Sequence, residues 1–330
     1  AYELVKNVSL GNRLEVNVFF LFISFHIFFI FPDPRVQGWF LFDTPLATLA
    51  MVLIYLSFVM VIGPLWMTNR KPFKLQKVLV GYNAAQVLLS SYMFYEHLMS
   101  GWWGDYSLMC QPVDYSDSEK ARRMLHLCWV YYFSKLSEFA DTVFFVLRKK
   151  KSQISWLHLY HHSLTPFEAW LLVKFIAGGH GTFSNIVNNL VHVTMYGYYM
   201  MAAMGPQYEK YLWWKKHLTT LQLAQFFMVL FHSISALVCD CGYPKMIAAG
   251  LVLHSVIFIV LFMNFYIQAY KPKNRAKPAV NDGNNNDQTA NGKPHMTATR
   301  ELTTGDVTEN GHLANGYTNG HVPNGKDKTQ

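Results

Sequence analysis

The chain has 330 residues, of which 52% are hydrophobic and 16% aromatic, and its formal net charge is +8. The apolar residues gather in stretches of about 20, long enough to cross a hydrocarbon layer ~30 Å thick, so the sequence predicts a polytopic membrane protein rather than a soluble one. The basic residues lie in short loops between these stretches, where positive charge is expected on the cytoplasmic side, and they therefore do not indicate a nucleic-acid partner.

The first apolar segment, Val16 to Phe31, has an atypical composition dominated by Phe and Ile. It has three possible interpretations: a signal sequence, an additional span, or translated non-coding sequence. Its flanks lack the clear small-residue cleavage site of a signal sequence. A pyrimidine-rich stretch would encode such a run. We therefore treat residues 1–32 as a separate hydrophobic segment, with an artefactual origin as one of its interpretations.

Further apolar segments follow over residues 33–270, and each must satisfy its own backbone hydrogen bonds in hydrocarbon, which requires a helix. They are Pro45 to Pro64, Val78 to Leu98, Leu125 to Leu147, Leu157 to Ile176, Phe183 to Met204, His217 to Val238 and Ile247 to Tyr270. The sequence thus predicts an all-α integral membrane protein with seven transmembrane helices.

Loop charge gives these spans an orientation. The loops after spans one, three and five, together with the start of the tail, hold fifteen basic residues, whereas those after spans two, four and six hold four. Because positive charge marks the cytoplasmic side, we expect the start of span one to be lumenal. Residues 271–330 are rich in Asn, Gly and Thr and predict a disordered cytoplasmic tail, whose Lys326 and Lys328 resemble a dilysine endoplasmic-reticulum retrieval signal.

Cysteine positions agree with that orientation. Cys110, Cys239 and Cys241 all fall in loops assigned to the lumenal, oxidising side, while Cys128 lies within a span. A disulfide from Cys110 to Cys241 or to Cys239 is expected, with three free thiols as the alternative.

Polar side chains within the spans are candidates for function, because each is costly in a membrane unless it is paired or faces a wet cavity. In span three, Lys135, Glu138 and Thr142 share one helical face, with Asp141 beside them. Span four opens with HLYHH, which puts three histidines on another face. The same criterion, a polar side chain within a predicted span, selects His158, His161, His162, Asn188, His192, Tyr196, Thr219 and Gln222.

Their depths predict one polar chamber that opens towards the cytoplasm. Glu168 is predicted to be interfacial or structural and His254 a packing residue, so neither is assigned to this chamber.

A histidine triplet is compatible with a metal site or with acyl chemistry. A di-iron site of the desaturase type needs roughly eight histidines in several boxes, and this chain has one box. Neutral imidazole can instead serve as a nucleophile or general base towards a thioester. Acyl transfer is therefore the favoured interpretation, with a histidine-box oxidoreductase as the alternative; a transporter or receptor is disfavoured by the triplet.

Five motifs occur in the order and spacing of one known family. KLSEFADTVFFVLRKK, HLYHH, NNLVHVTMYGYY and TTLQLAQF resemble the ELO family of very-long-chain fatty acid elongases, and NRKPF resembles its animal branch. The resemblance runs from about Asp33 to Tyr270. It implies a 3-ketoacyl-CoA synthase of the endoplasmic-reticulum membrane, with seven spans that enclose an acyl tunnel.

The resemblance also implies how the residues are used. Acyl-CoA and malonyl-CoA would be the substrates, no metal or redox cofactor would be required, and the reductases and dehydratase of the elongation cycle would be partners; a homodimer stays open. His161 would be the nucleophile, with His158 and His162 orienting it or exchanging protons. His192, with Asn188, would position the reacting groups and stabilise the enolate. Supporting roles are expected for Lys135, Glu138, Asp141, Tyr196, Thr219 and Gln222.

Overall fold

The computed structural model describes residues 32–270, which form eight α-helices and contain no β-strand. The helices are α1 Leu46–Met67, α2 Gln76–His97, α3 Glu119–Ser137, α4 Phe139–Leu147, α5 Trp156–Ile176, α6 Thr182–Met204, α7 Lys215–Val238 and α8 Lys245–Tyr270. The prediction of an all-helical fold is confirmed. The predictions for residues 1–31 and for the tail concern segments outside the described range.

Three of these helices, α1, α7 and α8, are long and apolar enough to cross a membrane on composition alone. Of the other long helices, α3, α5 and α6 carry most of the polar residues that the sequence singled out, and these lower their mean hydropathy. Such side chains are tolerated in a span when they face the protein interior and are paired there. The number of seven spans stays a prediction.

The third predicted span is divided into two helices. We expected one helix from Leu125 to Leu147, but α3 begins at Glu119 and ends at Ser137, and Glu138 separates it from α4. Just before the break, the Ser134 hydroxyl donates to the Tyr131 carbonyl and the Ser137 hydroxyl donates to the Ser134 carbonyl, each at 2.7 Å. Serine side chains that bond their own backbone compete with the helical ladder, and the break turns Glu138 towards the centre of the bundle.

The helices pack as neighbouring pairs around the polar residues. Helix α2 runs along α6, α3 packs on α5, and α7 packs on α8. Gln76 Nε2 donates to the Met204 carbonyl at 3.2 Å, so the start of α2 meets the end of α6. Helix α1 is joined to α3 by a buried hydrogen bond of 2.8 Å between the hydroxyls of Thr48 and Tyr132.

The end of the bundle opposite the histidine triplet is tied together by a disulfide. Cys110 and Cys241 are bonded with their Cα atoms 6.0 Å apart, and Cys239 is free. This is one of the two pairings expected from the sequence. The backbone approaches itself closely beside the disulfide: a Cβ on Gly179, whose φ is +64°, would lie 2.9 Å from the Pro112 backbone. Only glycine fits there without strain.

Candidate active site

The histidine triplet lies at the start of α5. Ser155 caps this helix by accepting a hydrogen bond from the His158 backbone N–H at 3.2 Å, which places HLYHH in the first two turns. The ring centroids of His158 and His162 are 4.3 Å apart, and those of His161 and His162 are 5.1 Å apart. The three imidazoles therefore form one cluster, as their spacing predicted.

A buried ion pair lies beside the triplet. Lys135 Nζ is 2.7 Å from Glu138 Oε1, and the two side chains are 1% and 2% exposed. The ammonium also donates to Asn188 Oδ1 at 2.8 Å and lies 4.7 Å from the centroid of the Tyr131 ring. All of these contacts come from α3, α6 and the break at Glu138. They satisfy a charge that burial would otherwise make very costly.

Glu138 also connects this ion pair to His192. His192 Nδ1 is 3.3 Å from Glu138 Oε1, and both side chains are buried. The sequence had paired His192 with Asn188 through their spacing on α6. The Asn188 amide oxygen instead accepts hydrogen bonds from Lys135 and from the Tyr131 hydroxyl, the latter at 3.1 Å. A carboxylate therefore orients this imidazole, an arrangement common for catalytic histidines.

The described part of the chain contains one group of side chains that could hold a metal ion. It consists of Glu138, His161 and His192, and one ligand atom of each lies within 4.8 Å of the others. A divalent ion would have to share the Glu138 carboxylate with the Lys135 ammonium, which is already bonded to it. Two positive centres on one buried carboxylate repel each other strongly. The donor set fits proton transfer and nucleophilic attack better than a metal centre.

Asp141 and Tyr196 form a second polar contact at the edge of the cluster. The Tyr196 hydroxyl donates to Asp141 Oδ2 at 2.8 Å, which links α6 to α4. The Tyr196 ring lies 5.5 Å from the His192 ring. Tyr196 thus adjoins His192, and Asp141 is connected to the cluster through Tyr196.

Thr219 and Gln222 lie apart from the cluster. The Thr219 hydroxyl has a long contact of 3.5 Å with the Tyr270 hydroxyl of α8, and Gln222 Nε2 is 3.5 Å from the sulfur of Met195. Neither makes a hydrogen bond to a histidine of the triplet within residues 32–270. The two residues meet different helices, α8 and α6, and periodicity does not specify which neighbouring helix a side chain meets.

Thr142 contacts the triplet directly, and Tyr55 contacts Thr142. Thr142 Oγ1 is 2.8 Å from His158 Nε2 and 2.8 Å from the Tyr55 hydroxyl. Thr142 was recognised on the face that carries Lys135 and Glu138, but it was not counted as a site residue. Tyr55 was missed because the few polar side chains of its apolar segment, Thr48, Tyr55 and Ser57, carry no charge and were not considered as candidates.

The sequence as a whole matches one family. Residues 40–278 fit the model of the ELO, or GNS1/SUR4, family. The chain belongs to this family. Among curated ELO proteins, it is 50% identical to a very long chain fatty acid elongase of Aedes aegypti. The alignment extends over 249 residues, which are 75% of this chain and 70% of the relative. The chain is 48% identical to very long chain fatty acid elongase 7 of Drosophila melanogaster, with 87% and 85% covered, and 44% identical to elongase 1 of Homo sapiens, with 75% and 90% covered.

This membership confirms the resemblance seen in the motifs. The chain is a multi-pass membrane enzyme of fatty acid elongation, a condensing acyltransferase of the 3-oxoacyl-CoA synthase type. Acyl-CoA and malonyl-CoA are the substrates that this reaction requires. The alternative function, a histidine-box oxidoreductase, is therefore rejected.

Proposed function

We propose that His161 is the nucleophile of the condensation. The observation that carries this assignment is its ring: Nδ1 is buried without a hydrogen-bond partner in the described part of the chain, and a ligand nitrogen of His161 lies within 4.8 Å of His192 and Glu138. A nucleophile needs a lone pair that no other donor occupies. Attack on the thioester carbonyl forms an acyl-imidazole, breaks the C–S bond, and releases CoA, which takes up a proton.

His192 acts in the second half of the reaction. Malonyl-CoA loses carbon dioxide, the resulting enolate attacks the acyl carbon, and the C–N bond to His161 breaks to give 3-oxoacyl-CoA. A group close to the enolate oxygen must stabilise its developing charge. His192 is suited to this task because Glu138 fixes the orientation of its ring at 3.3 Å and it lies beside the nucleophile.

Lys135 and Asn188 support this pair rather than contact substrate. The ammonium bonds to Glu138 and to Asn188, contacts the Tyr131 ring, and is almost fully buried. A cation with this many partners has little capacity left for a substrate. Its role is to balance the charge of Glu138 and to hold this side chain in position, so that Glu138 can orient His192. Asp141 and Tyr196 hold α4 and α6 together at the edge of the site.

The membrane setting is part of the same proposal. The charge alternation of the loops supports seven spans in the endoplasmic-reticulum membrane, a cytoplasmic tail, and a histidine cluster near the cytoplasmic side. An acyl tunnel would then run from the cluster towards the disulfide-bonded end. The charged CoA moiety would stay at the cytoplasmic mouth, and the enzymes of the remaining elongation steps would receive the product. A homodimer is compatible with this arrangement.

Replacing His161 with Ala tests the nucleophile. We expect kcat for condensation to fall by roughly 10³-fold or more, as it does when a covalent nucleophile is removed, while the protein still inserts and accumulates. The measurement is release of free CoA and formation of 3-oxoacyl-CoA by purified protein with acyl-CoA and labelled malonyl-CoA. Mass spectrometry with acyl-CoA alone should detect an acyl adduct on the wild type and none on the variant.

His126→Ala is the matched control. His126 is exposed near the start of α3, and its ring contacts Trp39 rather than the cluster. We expect this variant to keep full activity and to form the adduct. Wild-type turnover in His161→Ala would refute the nucleophile assignment.

A further inference from the structure

A chain of three side chains, two of them buried, leads from the first helix to the histidine triplet. Tyr55 of α1 shares a hydrogen bond with Thr142 of α4, and Thr142 shares another with Nε2 of His158 on α5; both bonds measure 2.8 Å. Tyr55 is 4% exposed and Thr142 is fully buried. The Tyr55 ring is fixed by stacking on Phe139, with centroids 4.3 Å apart and planes 11° apart.

The hydrogens can run along this chain in either of two directions. In the first, Tyr55 donates to Thr142 and Thr142 donates to His158 Nε2, so every hydrogen has an acceptor. In the second, His158 Nε2–H donates to Thr142 and Thr142 donates to Tyr55. The phenol hydrogen is then buried without an acceptor, since Thr142 is the only hydrogen-bond partner of the Tyr55 hydroxyl within the described residues. A third arrangement, in which Tyr55 and His158 Nε2–H both donate to Thr142, leaves the Thr142 hydrogen buried without an acceptor among the described residues.

Burying a donor without an acceptor is costly, whereas a fully satisfied chain is stable. The first arrangement is therefore favoured. In it, Nε2 of His158 is an acceptor, and a neutral imidazole must then carry its hydrogen on Nδ1. The partner of one ring nitrogen thus fixes the tautomer of the ring.

We propose that Tyr55 and Thr142 are positioning residues of this elongase, which hold His158 as the Nδ1–H tautomer. His158 can then donate a hydrogen bond through Nδ1 but offers no free lone pair for attack. His161 and His162 both keep Nδ1 without a hydrogen-bond partner in the described residues, and of these two it is His161 that lies beside His192 and Glu138. The acceptor for the His158 Nδ1–H would be the carbonyl oxygen of the reacting thioester. That role of His158 rests on the proposed function, whereas its tautomer rests on the hydrogen bonds alone.

Three variants test the positioning role. Thr142→Val keeps the shape of the side chain and removes the hydroxyl, Thr142→Ser keeps the hydroxyl, and Tyr55→Phe removes the first donor. We expect Thr142→Val to lower kcat by about 10- to 100-fold, the usual effect of losing an orienting partner, with KM for acyl-CoA unchanged. Thr142→Ser should restore activity to near the wild-type value, and Tyr55→Phe should give an intermediate loss.

The chain offers a closely matched control. Thr48 of α1 forms a buried 2.8 Å hydrogen bond with the hydroxyl of Tyr132 and contacts no histidine of the triplet. Thr48→Val therefore removes the same kind of bond, a buried threonine–tyrosine contact between α1 and a neighbouring helix, and we expect kcat to stay at the wild-type value. An equal loss of kcat in Thr48→Val and Thr142→Val would overturn the proposal, because it would reduce Thr142 to a structural contact.

The tautomer itself is measured by nitrogen-15 magnetic resonance on histidine-labelled protein in bilayers. The His158 signals are identified by their disappearance in His158→Gln, whose folding is checked by thermal denaturation. We expect an N–H at Nδ1 in the wild type and a mixture of tautomers in Thr142→Val. An N–H at Nε2 in the wild type would contradict the inference. Full activity of His161→Ala would instead refute the proposed function while leaving this readout intact.

Discussion

Residues 32–270 of this elongase contain two carboxylate–histidine pairs, and the shorter one is not the one at the candidate active site. His254 Nδ1 is 2.6 Å from Glu168 Oε1, whereas His192 Nδ1 is 3.3 Å from Glu138 Oε1. The side chains of Glu168 and His254 are 33% and 17% exposed, and the pair bridges α5 and α8 with one bond. Glu138 is almost fully buried and bonds Lys135 as well.

From this difference we infer that burial and the number of partners determine the effect of a substitution on stability more than the length of one bond does. A charge with no access to water depends on every group around it, so each member of the Glu138 network has a large effect on the others. A partly exposed pair can find other partners when one member is removed. The Glu138 cluster should therefore be sensitive to single substitutions, and the Glu168 pair should tolerate them.

The largest effect is expected when the buried ion pair is broken from one side. Lys135→Met and Glu138→Gln should each lower the free energy of unfolding by about 3–5 kcal/mol, because each leaves a buried charge without its counter-charge. Both should also lose activity, since His192 loses its orienting carboxylate or that carboxylate is displaced. Denaturation midpoints in bilayer-like detergent measure the first effect, and CoA release measures the second.

The double variant sharpens this prediction. Lys135→Met combined with Glu138→Gln contains no unpaired charge, so most of the lost stability should return while activity stays low. Single variants as stable as the wild type would contradict this prediction. The buried pair would then contribute nothing to stability, and it would not differ in this respect from the Glu168–His254 pair.

A smaller effect is expected at Asn188. Its amide oxygen accepts from the Lys135 ammonium at 2.8 Å and from the Tyr131 hydroxyl at 3.1 Å. Asn188→Ala should cost about 1.5–3 kcal/mol, the value of a hydrogen bond to a charged group. The ion pair itself remains, so the loss should be smaller than in Lys135→Met. A loss equal to that of Lys135→Met would mean that the ammonium depends on Asn188 as much as on Glu138.

The same contrast explains what could be predicted from the sequence. Lys135 and Glu138 were recognised as a pair because they are three residues apart on one helix, where spacing determines contact. The histidine triplet was found in the same way. Glu168 and His254 were both set aside, since they lie on different helices 86 residues apart and nothing in the sequence specifies how α5 and α8 face each other.

Contacts between helices account for the other differences. Asn188 was assigned to His192, one turn away on α6, but its side chain reaches across to α3. Tyr55 is the only member of its hydrogen-bond chain on α1, and an isolated tyrosine in an apolar helix gives no periodic pattern. Helical periodicity thus predicted which face of each helix is polar, while the partner of each face required the packed structure.

The smallest effect is expected at the Glu168 pair. Hydrogen bonds between membrane helices contribute about 0.6 kcal/mol on average, because the separated helices find other partners. Glu168→Gln and His254→Phe should each change the free energy of unfolding by about that amount, and kcat should not change. A double-mutant cycle measures the coupling directly, and the corresponding cycle on Lys135 and Glu138 should give a coupling several times larger. If the Glu168 cycle gave the larger coupling, bond length would outweigh burial in this bundle, since the 2.6 Å contact would then be the stronger of the two.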